Sequence, residues 1–315
     1  MKIGIMGLGH IAEKIANTIN LMDKNYELYA VASRSMIKAL DFKKKYNAEK
    51  AYGSYLDLVK DDEIDLIYIA TVNSTHYENM RLCLENNKNV ICEKPFTLNY
   101  SEALEIINLA KSKNLFISEA LWTSYMPFNI KLLEILKGER IKSFYGLFNC
   151  NVYDKERIHN NLLGGGALLD LGIYPISFAL RLFGFSYKNI IINNMYYSDT
   201  SVDVHTDISL VYDGFEARCV CNCVKEYESY IKIATENLDI FIDSATNPSI
   251  IKITNANNLS THTINVKAKY SGYEYEFIDA YNSIHDGLNE PRSWSNYKTL
   301  EMMRILDEIV IKSSK

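Results

Sequence analysis

The sequence lacks an excess of basic residues. Its 315 residues include 34 Lys and Arg against 39 Asp and Glu, which gives a formal net charge of −5. Domains that bind nucleic acid usually carry a basic patch or stripe, so we expect no nucleic-acid partner. The chain also has no apolar run that approaches the roughly 20 residues of a membrane-spanning helix, and we expect no membrane partner.

A secretory signal and a disulfide framework are lacking as well. The opening residues, MKIGIMGLGHIAEKIA, place Gly and Glu where a signal peptide needs an unbroken apolar segment, which predicts a cytoplasmic protein. Cys219, Cys221 and Cys223 alternate in ARCVCNCV without the second pair that zinc sites generally use. Packed, reduced thiols are therefore favoured over a metal site.

Short apolar strands alternate with helices in the first third of the chain. The strand-like runs are KIGIMGLG, YELYAVAS, DEIDLIYIAT, NVICE and LFISEALW. The helix-like runs between them are HIAEKIANTINLM, SMIKALDFKKKYN, HYENMRLCLENN and NYSEALEIINLAKSKN. Strands separated by helices of about 10 to 15 residues are typical of βαβ units. The sequence therefore predicts an α/β domain with a parallel sheet.

A glycine-rich turn joins the first strand to the first helix. It reads GLGHIA from Gly7, a G-x-G-x-x-A pattern. The first glycine permits a tight turn, and the second lets the backbone approach a pyrophosphate at the helix N-terminus. This context predicts a dinucleotide site that includes Gly7, Gly9, His10 and Ile11. The alternative is a plain tight turn between a strand and a helix.

The end of the second strand indicates which dinucleotide binds. An acidic residue there would bond the ribose 2′-hydroxyl of NAD, whereas an arginine accommodates the 2′-phosphate of NADP. The strand ends at Ser33 and Arg34 with no carboxylate, and Lys38 follows one turn into the next helix. A hydroxyl with a guanidinium suits a phosphate, so NADP(H) is favoured over NAD(H). The alternative for Arg34 is an ordinary exposed surface residue.

The run NVICEKPF ends a buried strand with a carboxylate, an ammonium and a proline. Lysine is among the residues least often buried without a partner. Lys94 is therefore either a solvated strand end before an X-Pro turn or a functional lysine that faces the cofactor. These eight residues by themselves favour the solvated strand end, since short motifs out of context are weak indicators.

The pattern changes beyond residue 120. Strand-like runs, from IKSFYGLFNCNVY to THTINVKA, follow one another with one glycine-rich helix, LLGGGALLDLGIYPISFALRLFG, among them. Strands without intervening helices indicate an antiparallel sheet. We expect a Rossmann domain over 1–120 and an α+β domain over 121–315. The amphipathic C-terminal helix, about 296–312, is able to pack back on the first domain.

Asp170 and Tyr174 lie four residues apart in the glycine-rich helix and so share one helical face among apolar residues. A carboxylate and a phenol together in an apolar helix form a candidate acid/base site. The alternative is a buried tyrosine with one hydrogen bond and an aspartate favoured near the helix N-terminus by the helix dipole. The residues themselves leave both interpretations open.

Three motifs together resemble the glucose–fructose oxidoreductase / inositol dehydrogenase (Gfo/Idh/MocA) family. They are the G-x-G-x-x-A turn, E-K-P at the end of a later strand, and G-G-G-A-L-L-D-x-G-x-Y. The resemblance runs over nearly the whole chain, and the stretch SEALWTSYMPF with Tyr174 looks most like the dihydrodiol dehydrogenase branch. It implies a Rossmann domain followed by a large, open, mostly antiparallel sheet, with the active site in the cleft between them.

The resemblance also implies catalytic residues. Lys94 would lie near the nicotinamide, within reach of the substrate hydroxyl, and Tyr174 would exchange the hydroxyl proton. A tyrosine, with an ordinary pKa near 10, can do so at neutral pH only if a nearby cation stabilises its phenolate, and Lys94 would be that cation. Asp170 would hold the substrate hydroxyl or the lysine in place. Whether Lys94 or Tyr174 is the terminal base is left open.

Further positions follow from the same resemblance. Thr71, Asn73 and His76 would lie beside the cofactor, although His76 is equally well explained as a helix-terminus residue. Glu93 would position the strand end, and a cis bond to the following proline would direct Lys94.

The resemblance implies three more positions, on the substrate side. Trp122 would form a wall of the nicotinamide or substrate pocket, with core packing as the alternative. Arg157 and His159, on the loop before the glycine triplet, would contact the substrate.

These features together predict an NAD(P)-dependent oxidoreductase that transfers a hydride between nicotinamide and a sugar, a polyol or another cyclic alcohol or ketone. The alternatives are a non-catalytic sensor or regulator of the same fold that binds a dinucleotide, and a reductase of a C=C bond or an imine. Relatives commonly pair through the sheet of the second domain, so we expect a homodimer or homotetramer formed through the C-terminal sheet.

Overall fold

The short apolar strands of the first third pair into one parallel sheet in the computed structural model, which describes residues 1–313. The strands are β1 (Lys2–Met6), β2 (Glu27–Ala32), β3 (Lys50–Tyr52), β4 (Leu66–Ile69), β5 (Asn89–Glu93) and β6 (Ile117–Ala120). Their order across the sheet is β3-β2-β1-β4-β5-β6, which is the order of a dinucleotide-binding Rossmann sheet. The predicted α/β fold is confirmed.

The helices that connect these strands are α1 (His10–Leu21), α2 (Met36–Tyr46), α3 (Tyr55–Val59), α4 (His76–Glu85) and α5 (Tyr100–Ser112). Side-chain oxygens of Ser35, Ser54 and Asn99 accept backbone N–H bonds at the starts of α2, α3 and α5, as N-cap residues do. α1 begins after Gly9 and has no such side-chain cap. Its first turn therefore presents backbone N–H groups to another acceptor.

The strand-rich second half forms a second sheet. Its strands are β7 (Ile141–Asn149), β8 (Asn189–Tyr197), β9 (Asp203–Val211), β10 (Glu216–Asn222), β11 (Glu228–Thr235), β12 (Leu238–Ile242), β13 (Ile250–Asn255) and β14 (Thr261–Asn265). Their order is β14-β13-β12-β11-β7-β10-β9-β8. Neighbours run antiparallel except β7 and β10, which are parallel. The predicted, mostly antiparallel sheet is confirmed.

The helices of this half are α6 (Phe128–Leu136), α7 (Glu156–His159) and α8 (Ile173–Phe183), with a wide π turn over Leu168–Gly172 directly before α8. α8 packs on β7, where the ring centroids of Phe144 and Phe178 are 6.4 Å apart. Gly146 allows a close approach, because a Cβ there would lie 2.8 Å from Pro175. The sheet thus supports the glycine-rich helix on one of its faces.

One stretch of this half is long and apolar enough to cross a membrane. It covers Asn161–Phe183, and 78% of its apolar window is buried in the structure. The expectation that no such run exists is wrong, because the leucines and isoleucines outweigh the glycines and Asp170 that interrupt the stretch. Its burial against β7 is that of a core helix.

The chain returns to its first part after the second sheet. By their contacts, Met1–Trp122 and Lys269–Met303 form a first unit, and Thr123–Ala268 with residues 304–313 form a second unit. The returning elements are α9 (Glu274–His285) and the start of α10 (Asn296–Ser313).

The returning segment differs from the single domain expected over 121–315. Phe277 of α9 is fully buried, and its ring centroid lies 5.6 Å from that of Tyr68 in β4. Trp294 is fully buried as well and donates a hydrogen bond to Glu119 of β6 at 3.3 Å. The segment belongs to the first unit because its aromatic residues complete that unit's core.

Candidate active site

The turn between β1 and α1 has the shape that the glycine pattern predicts. Gly7 has φ of +88°, and a Cβ there would lie 2.7 Å from Thr71 Cγ2, so glycine is the residue that fits. Nothing lies within 4 Å of a Cβ built on Gly9. His10 is exposed and Ile11 half-buried at the same helix start. A phosphate group therefore has room to approach the N–H groups of α1.

The end of β2 presents a hydroxyl and two cationic residues. Ser33 is buried, whereas Arg34 and Lys38 are exposed. Ser35 accepts the Lys38 N–H at 3.4 Å, and its own N–H donates to Ser33 Oγ at 3.3 Å. These bonds fix the turn from β2 into α2. Arg34 and Lys38 therefore offer positive charge to a phosphate, and the strand end carries no carboxylate.

Thr71, Asn73 and His76 follow the carboxyl end of β4, beside the glycine turn. The Thr71 hydroxyl accepts hydrogen bonds from Thr75 at 2.9 Å and from Asn79 at 3.0 Å. Asn73 begins a 3₁₀ turn that leads into α4. The loop is therefore tied to the first turns of α4.

His76 is fully buried. Its Nδ1 lies 2.9 Å from the Pro95 carbonyl oxygen, and its Nε2 lies 3.2 Å from the Thr71 carbonyl oxygen. Burial lowers the pKa of His76, and the charge of Lys94 acts in the same direction, against the opposing effect of the two carbonyl contacts. The resemblance implied a cofactor contact, with a helix-terminus residue as the alternative. His76 begins α4 and links the loop after β4 to the loop after β5, and a cofactor contact stays a prediction.

The E-K-P run leaves the carboxyl end of β5. The Lys94–Pro95 peptide bond is cis, as predicted. Glu93 is buried; its Oε1 accepts a hydrogen bond from the Tyr68 hydroxyl at 2.7 Å, and its Oε2 accepts one from the Lys94 N–H at 3.3 Å. Because β1, β4 and β5 are parallel neighbours, Lys94 and the glycine turn lie at the same edge of the first sheet.

A second buried carboxyl group, which the sequence analysis did not single out, lies in β6. Glu119 Oε1 accepts the Phe96 N–H at 3.1 Å, and Oε2 accepts hydrogen bonds from Trp294 at 3.3 Å and Thr299 at 3.2 Å. Burial raises the pKa of Glu119 to about 7, against the opposing effect of these hydrogen bonds and of Lys94. The signal in the sequence was a carboxylate inside the otherwise apolar run FISEAL.

Trp122 is buried and stacks on Tyr273, with ring centroids 4.4 Å apart and planes inclined by 19°. Tyr273 directly precedes α9. The next residue, Glu274, accepts N–H bonds from the three residues before Tyr273 at 2.6 to 3.1 Å. The stack and this cap fix the start of α9 in the first unit. A pocket-wall role for Trp122 stays a prediction.

Arg157 and Asp170, in the second unit, form a bidentate ion pair. Nη1 donates to Oδ1 at 2.8 Å, and Nη2 donates to Oδ2 at 3.3 Å. The Asp170 side chain is 11% exposed and that of Arg157 is 42% exposed. The more exposed guanidinium therefore balances the charge of a nearly buried carboxylate. Such a pair fixes orientation as well as charge. The sequence named both residues but did not predict their pairing.

Tyr174 lies in the first turn of α8, four residues after Asp170. Its ring is buried and meets Phe148 of β7 edge to face, with centroids 5.7 Å apart at 74°. The π turn before α8 contains Asp170, and such turns are frequent at functional sites. Asp170 and Tyr174 are thus both buried in one helical segment, the arrangement that their spacing predicts.

Asp203 of β9 anchors the start of this segment and was also missed in the sequence. Its Oδ2 accepts hydrogen bonds from the Leu168 N–H at 2.8 Å and from the Thr206 hydroxyl at 2.7 Å. Gly166 has φ of +116°, and a Cβ there would overlap Asp203 Oδ1. Burial raises the pKa of Asp203 to about 6. The glycine triplet therefore lets the chain pass over a buried carboxyl group that holds the segment with Asp170.

The remaining candidates do not converge on these groups. His159 Nδ1 lies 3.0 Å from the Tyr153 carbonyl oxygen, and its substrate contact stays a prediction. Cys219, Cys221 and Cys223 are buried free thiols whose pKa values are raised by burial. Among residues 1–313, no group of three or more His, Cys, Asp or Glu side chains is placed to hold a metal ion.

The chain is similar to an oxidoreductase family and to individual dehydrogenases. A family model described as an oxidoreductase family with an NAD-binding Rossmann fold, Gfo/Idh/MocA, matches residues 1–120. A trans-1,2-dihydrobenzene-1,2-diol dehydrogenase from Xenopus tropicalis is 32% identical over 217 residues, which are 68% of this chain and 66% of that enzyme. The enzyme of the same name from Danio rerio is 31% identical over 231 residues, 72% of this chain and 69% of that enzyme.

Two further similarities concern a sugar dehydrogenase and a solved structure. A D-xylose 1-dehydrogenase (NADP(+)) from Hypocrea jecorina is 37% identical over 205 residues, 58% of this chain and 52% of that enzyme. The chain thus spans just under two thirds of the Xenopus enzyme and about half of the xylose enzyme. A 3-ketoreductase from Actinomadura kijaniata, solved with NADP and TDP-benzene, has a TM-score of 0.88 at 20% identity, covering 99% of this chain and 97% of that one. This likeness shows a shared fold.

Proposed function

The chain belongs to the Gfo/Idh/MocA family of oxidoreductases with an NAD-binding Rossmann fold, and on that basis we propose that it transfers a hydride between nicotinamide and a carbon that carries a hydroxyl or carbonyl group. The observation that carries the proposal is the position of Lys94 at the carboxyl edge of the first sheet, the same edge as the Gly7–Gly9 turn. Ligands of such sheets bind outside this edge. A cation is therefore available where a substrate oxygen would lie.

We propose NADP(H) rather than NAD(H) as the cofactor. The open backbone at Gly9 and the uncapped start of α1 suit a pyrophosphate. Arg34 and Lys38, beside Ser33, suit a 2′-phosphate. The end of β2 carries no carboxylate, which would repel this phosphate. The name of the similar xylose enzyme contains NADP(+), which supports the preference.

The substrate that we propose is a sugar, a polyol or another cyclic alcohol or ketone. The names of two similar enzymes, a dihydrobenzenediol dehydrogenase and a xylose dehydrogenase, both denote compounds with hydroxyl groups on adjacent carbons. A buried carboxylate that is oriented by a guanidinium, as Asp170 is by Arg157, is suited to accept hydrogen bonds from such hydroxyls.

The bound nicotinamide would supply or accept the hydride, and the residues of the chain would handle the proton of the substrate oxygen. Lys94 would place its ammonium against that oxygen and stabilise the negative charge that develops on it. Tyr174 and Lys94 would act as an acid/base pair that gives or takes the hydroxyl proton. Asp170, held by Arg157, would orient the reacting hydroxyl.

Replacing Lys94 by alanine tests the proposal. We expect NADPH turnover on a panel of cyclic ketones and sugars to fall by about 10²- to 10⁴-fold, the usual contribution of acid–base catalysis, while NADPH still binds. Lys111→Ala, at an exposed position near the end of α5, is the matched control and should leave turnover unchanged. Tight NADP(H) binding by the wild type with no turnover across the panel would instead support a non-catalytic sensor.

The position of the transferred hydride separates the alcohol reaction from its alternative. With NADPH deuterated at the transferable position, we expect the deuterium on the carbon that bears the new hydroxyl. Deuterium on a carbon without oxygen would identify a reductase of a C=C bond or an imine.

We also propose that the chain forms a homodimer or homotetramer through the face of the second sheet opposite α8. Tyr145, Tyr230 and Phe241 form a row of rings on this face, with successive centroids 5.9 Å apart. Arg218, paired with Asp207, lies over the Tyr145 ring. Aromatic and arginine side chains are enriched at protein interfaces.

Light scattering during size-exclusion chromatography measures this association. We expect the wild type to elute as a dimer or tetramer and Tyr230→Glu to shift it toward the monomer, because a carboxylate would be buried among rings. Leu162→Glu places the same charge on an exposed apolar residue outside the strands of this sheet and should change nothing. A monomeric wild type would refute the proposal.

A further inference from the structure

Glu276 is a buried carboxyl group that the proposed mechanism does not use. It lies in the first turn of α9 and is 2% exposed. Neither of its oxygens has a hydrogen-bond partner in the part of the chain that the structure describes. An ionised carboxylate buried without a partner costs several kcal/mol or more, so its charge state needs an explanation.

The groups that face Glu276 are Tyr68 of β4, Glu93 of β5 and Glu119 of β6, all in the first unit. The Tyr68 hydroxyl favours a negative charge on Glu276, whereas burial and the two carboxyl groups oppose it. Tyr68 has a single hydroxyl proton, and it is donated to Glu93 at 2.7 Å. Burial and the two neighbouring carboxyl groups raise the pKa of Glu276 well above its ordinary value. Geometry and electrostatics therefore both favour the neutral acid.

This cluster of carboxyl groups, Glu93, Glu119 and Glu276, borders the lysine proposed to act in catalysis. Glu93 accepts the Lys94 N–H, and the charge of Lys94 acts on Glu119. If all three carboxyl groups were ionised, this cluster would hold three negative charges next to the segment that carries Lys94, and neighbouring anions favour the protonated form of an amine. An acid–base group is most effective when it can both give and take a proton near the working pH.

We propose that Glu276 is a positioning residue that is kept as a neutral carboxylic acid and limits the negative charge around Lys94, so that the ammonium can release and retake its proton during the reaction. The inference rests on the proposed function. Glu276 acts through Lys94 and touches neither substrate nor cofactor. The contacts of α9, capped at Glu274 and stacked on Trp122 through Tyr273, hold it at this position.

The first test is the pH dependence of stability, which needs no substrate. A carboxyl group whose pKa is raised on folding stabilises the folded state below its unfolded pKa, here near 4.5, and this contribution is lost as the pH rises. Glu276→Gln has no proton to lose. Above that pH, the ratio of the variant's folding equilibrium constant to that of the wild type should therefore rise about tenfold per pH unit. The rise should end where Glu276 ionises in the folded wild type.

Glu274→Gln is the matched control, two residues away on the same helix. Glu274 is also fully buried, but it accepts three backbone N–H bonds, and an amide is a weaker acceptor than a carboxylate. This variant should lose stability and show no gain that grows with pH. Parallel stability curves for the wild type and Glu276→Gln would overturn the proposal.

A second measurement uses the wild type alone and does not depend on any variant folding. The infrared spectrum of protein labelled with ¹³C-glutamate should retain a protonated carboxyl band at about pH 8, where buried carboxyl groups can remain neutral. Absence of that band at about pH 8 would contradict a neutral Glu276.

The effect on Lys94 is tested by the pH profile of single-turnover hydride transfer. Glu276→Gln should keep the neutral-pH rate within about threefold and should extend activity to higher pH, because Gln cannot ionise beside the lysine. An unchanged alkaline limb would overturn the link to Lys94. A wild type without turnover would refute the proposed function, whereas the stability and infrared measurements would still report the charge of Glu276.

Discussion

Ser33 and Arg34 end β2 with a hydroxyl and a guanidinium, at the place where a carboxylate would bond the ribose of NAD. The Ser33 side chain is buried and accepts the Ser35 N–H, so its position is fixed by the turn into α2. Arg34 is exposed and can reach a phosphate. The charge at position 33 is therefore the simplest determinant of cofactor preference in the chain.

Ser33→Asp should reverse the proposed preference for NADPH. A carboxylate repels a 2′-phosphate and accepts a hydrogen bond from a 2′-hydroxyl, so we expect NADPH affinity to fall by more than about tenfold and NADH affinity to hold or rise. Fluorescence titration with both cofactors measures the change. Ser112→Asp, at the exposed end of α5, controls for net charge. An unchanged ratio would show that residue 33 does not meet the 2′ position.

Asp203 predicts a pH dependence of stability in the acid range. Its pKa rises from 3.8 to about 6 on folding, so its titration favours the folded state at low pH, and this contribution is lost as the pH rises from about 4 to 6. Asn is neutral throughout, and its amide oxygen can accept the bonds of Leu168 and Thr206 that Oδ2 accepts now. Over that interval, the free energy of unfolding of Asp203→Asn should therefore rise relative to that of the wild type by on the order of 3 kcal/mol.

Denaturant unfolding at a series of pH values measures this difference. Asp239→Asn, on an exposed position of β12, is the control and should run parallel to the wild type. Asp203→Asn curves that also run parallel would mean that Asp203 is ionised in the folded protein.

At the scale of elements, α4 and the end of β5 are joined by one side chain. His76, the first residue of α4, contacts the carbonyl of Pro95, directly after Lys94. The end of β5, which carries Lys94, is thus held by His76 at the start of α4 as well as by Glu93. The position of Lys94 depends on contacts between elements, and local conformation alone does not set it.

His76→Ala should loosen this junction. The Pro95 carbonyl would lose its buried donor, which costs about 1 to 3 kcal/mol, and amide exchange around residues 93–96 should accelerate. Tyr77→Phe removes an exposed hydrogen bond to Glu105 from the same helix and should have little effect. Equal unfolding free energies for the two variants would contradict the assignment of His76 as a link.

Elements with a clear hydrophobic period were predictable from the sequence, and contacts between distant elements were not. The run NVICE predicted β5, and the strand-like runs of the second half correspond to β7 to β14. The five residues of α3 are too few to show a helical period. The bond between Asp203 and Leu168 spans 35 residues, and no local pattern records it. Glu119 and Glu276 were missed because burial of a carboxylate is decided by the packing around it.

At the scale of the whole molecule, the first unit is built from two separate parts of the chain. Glu119 of β6 accepts hydrogen bonds from the returning segment, at Trp294 and Thr299. The segment also supplies Phe277 to the core and Glu276 to the carboxyl cluster. The charge balance next to Lys94 is therefore set by residues nearly 200 positions later, after the second sheet has been completed.

The proposed acid/base residues, Lys94 and Tyr174, belong to different units, so a double-mutant cycle is the direct test of whether they serve one step. Lys94→Ala and Tyr174→Phe should each lower kcat/KM by about 10²- to 10⁴-fold. If both act on the same proton, the double variant should be little worse than the more damaged single variant. Tyr196→Phe, on an exposed ring of β8, is the control. Losses that multiply in the double variant would show that the two residues act independently.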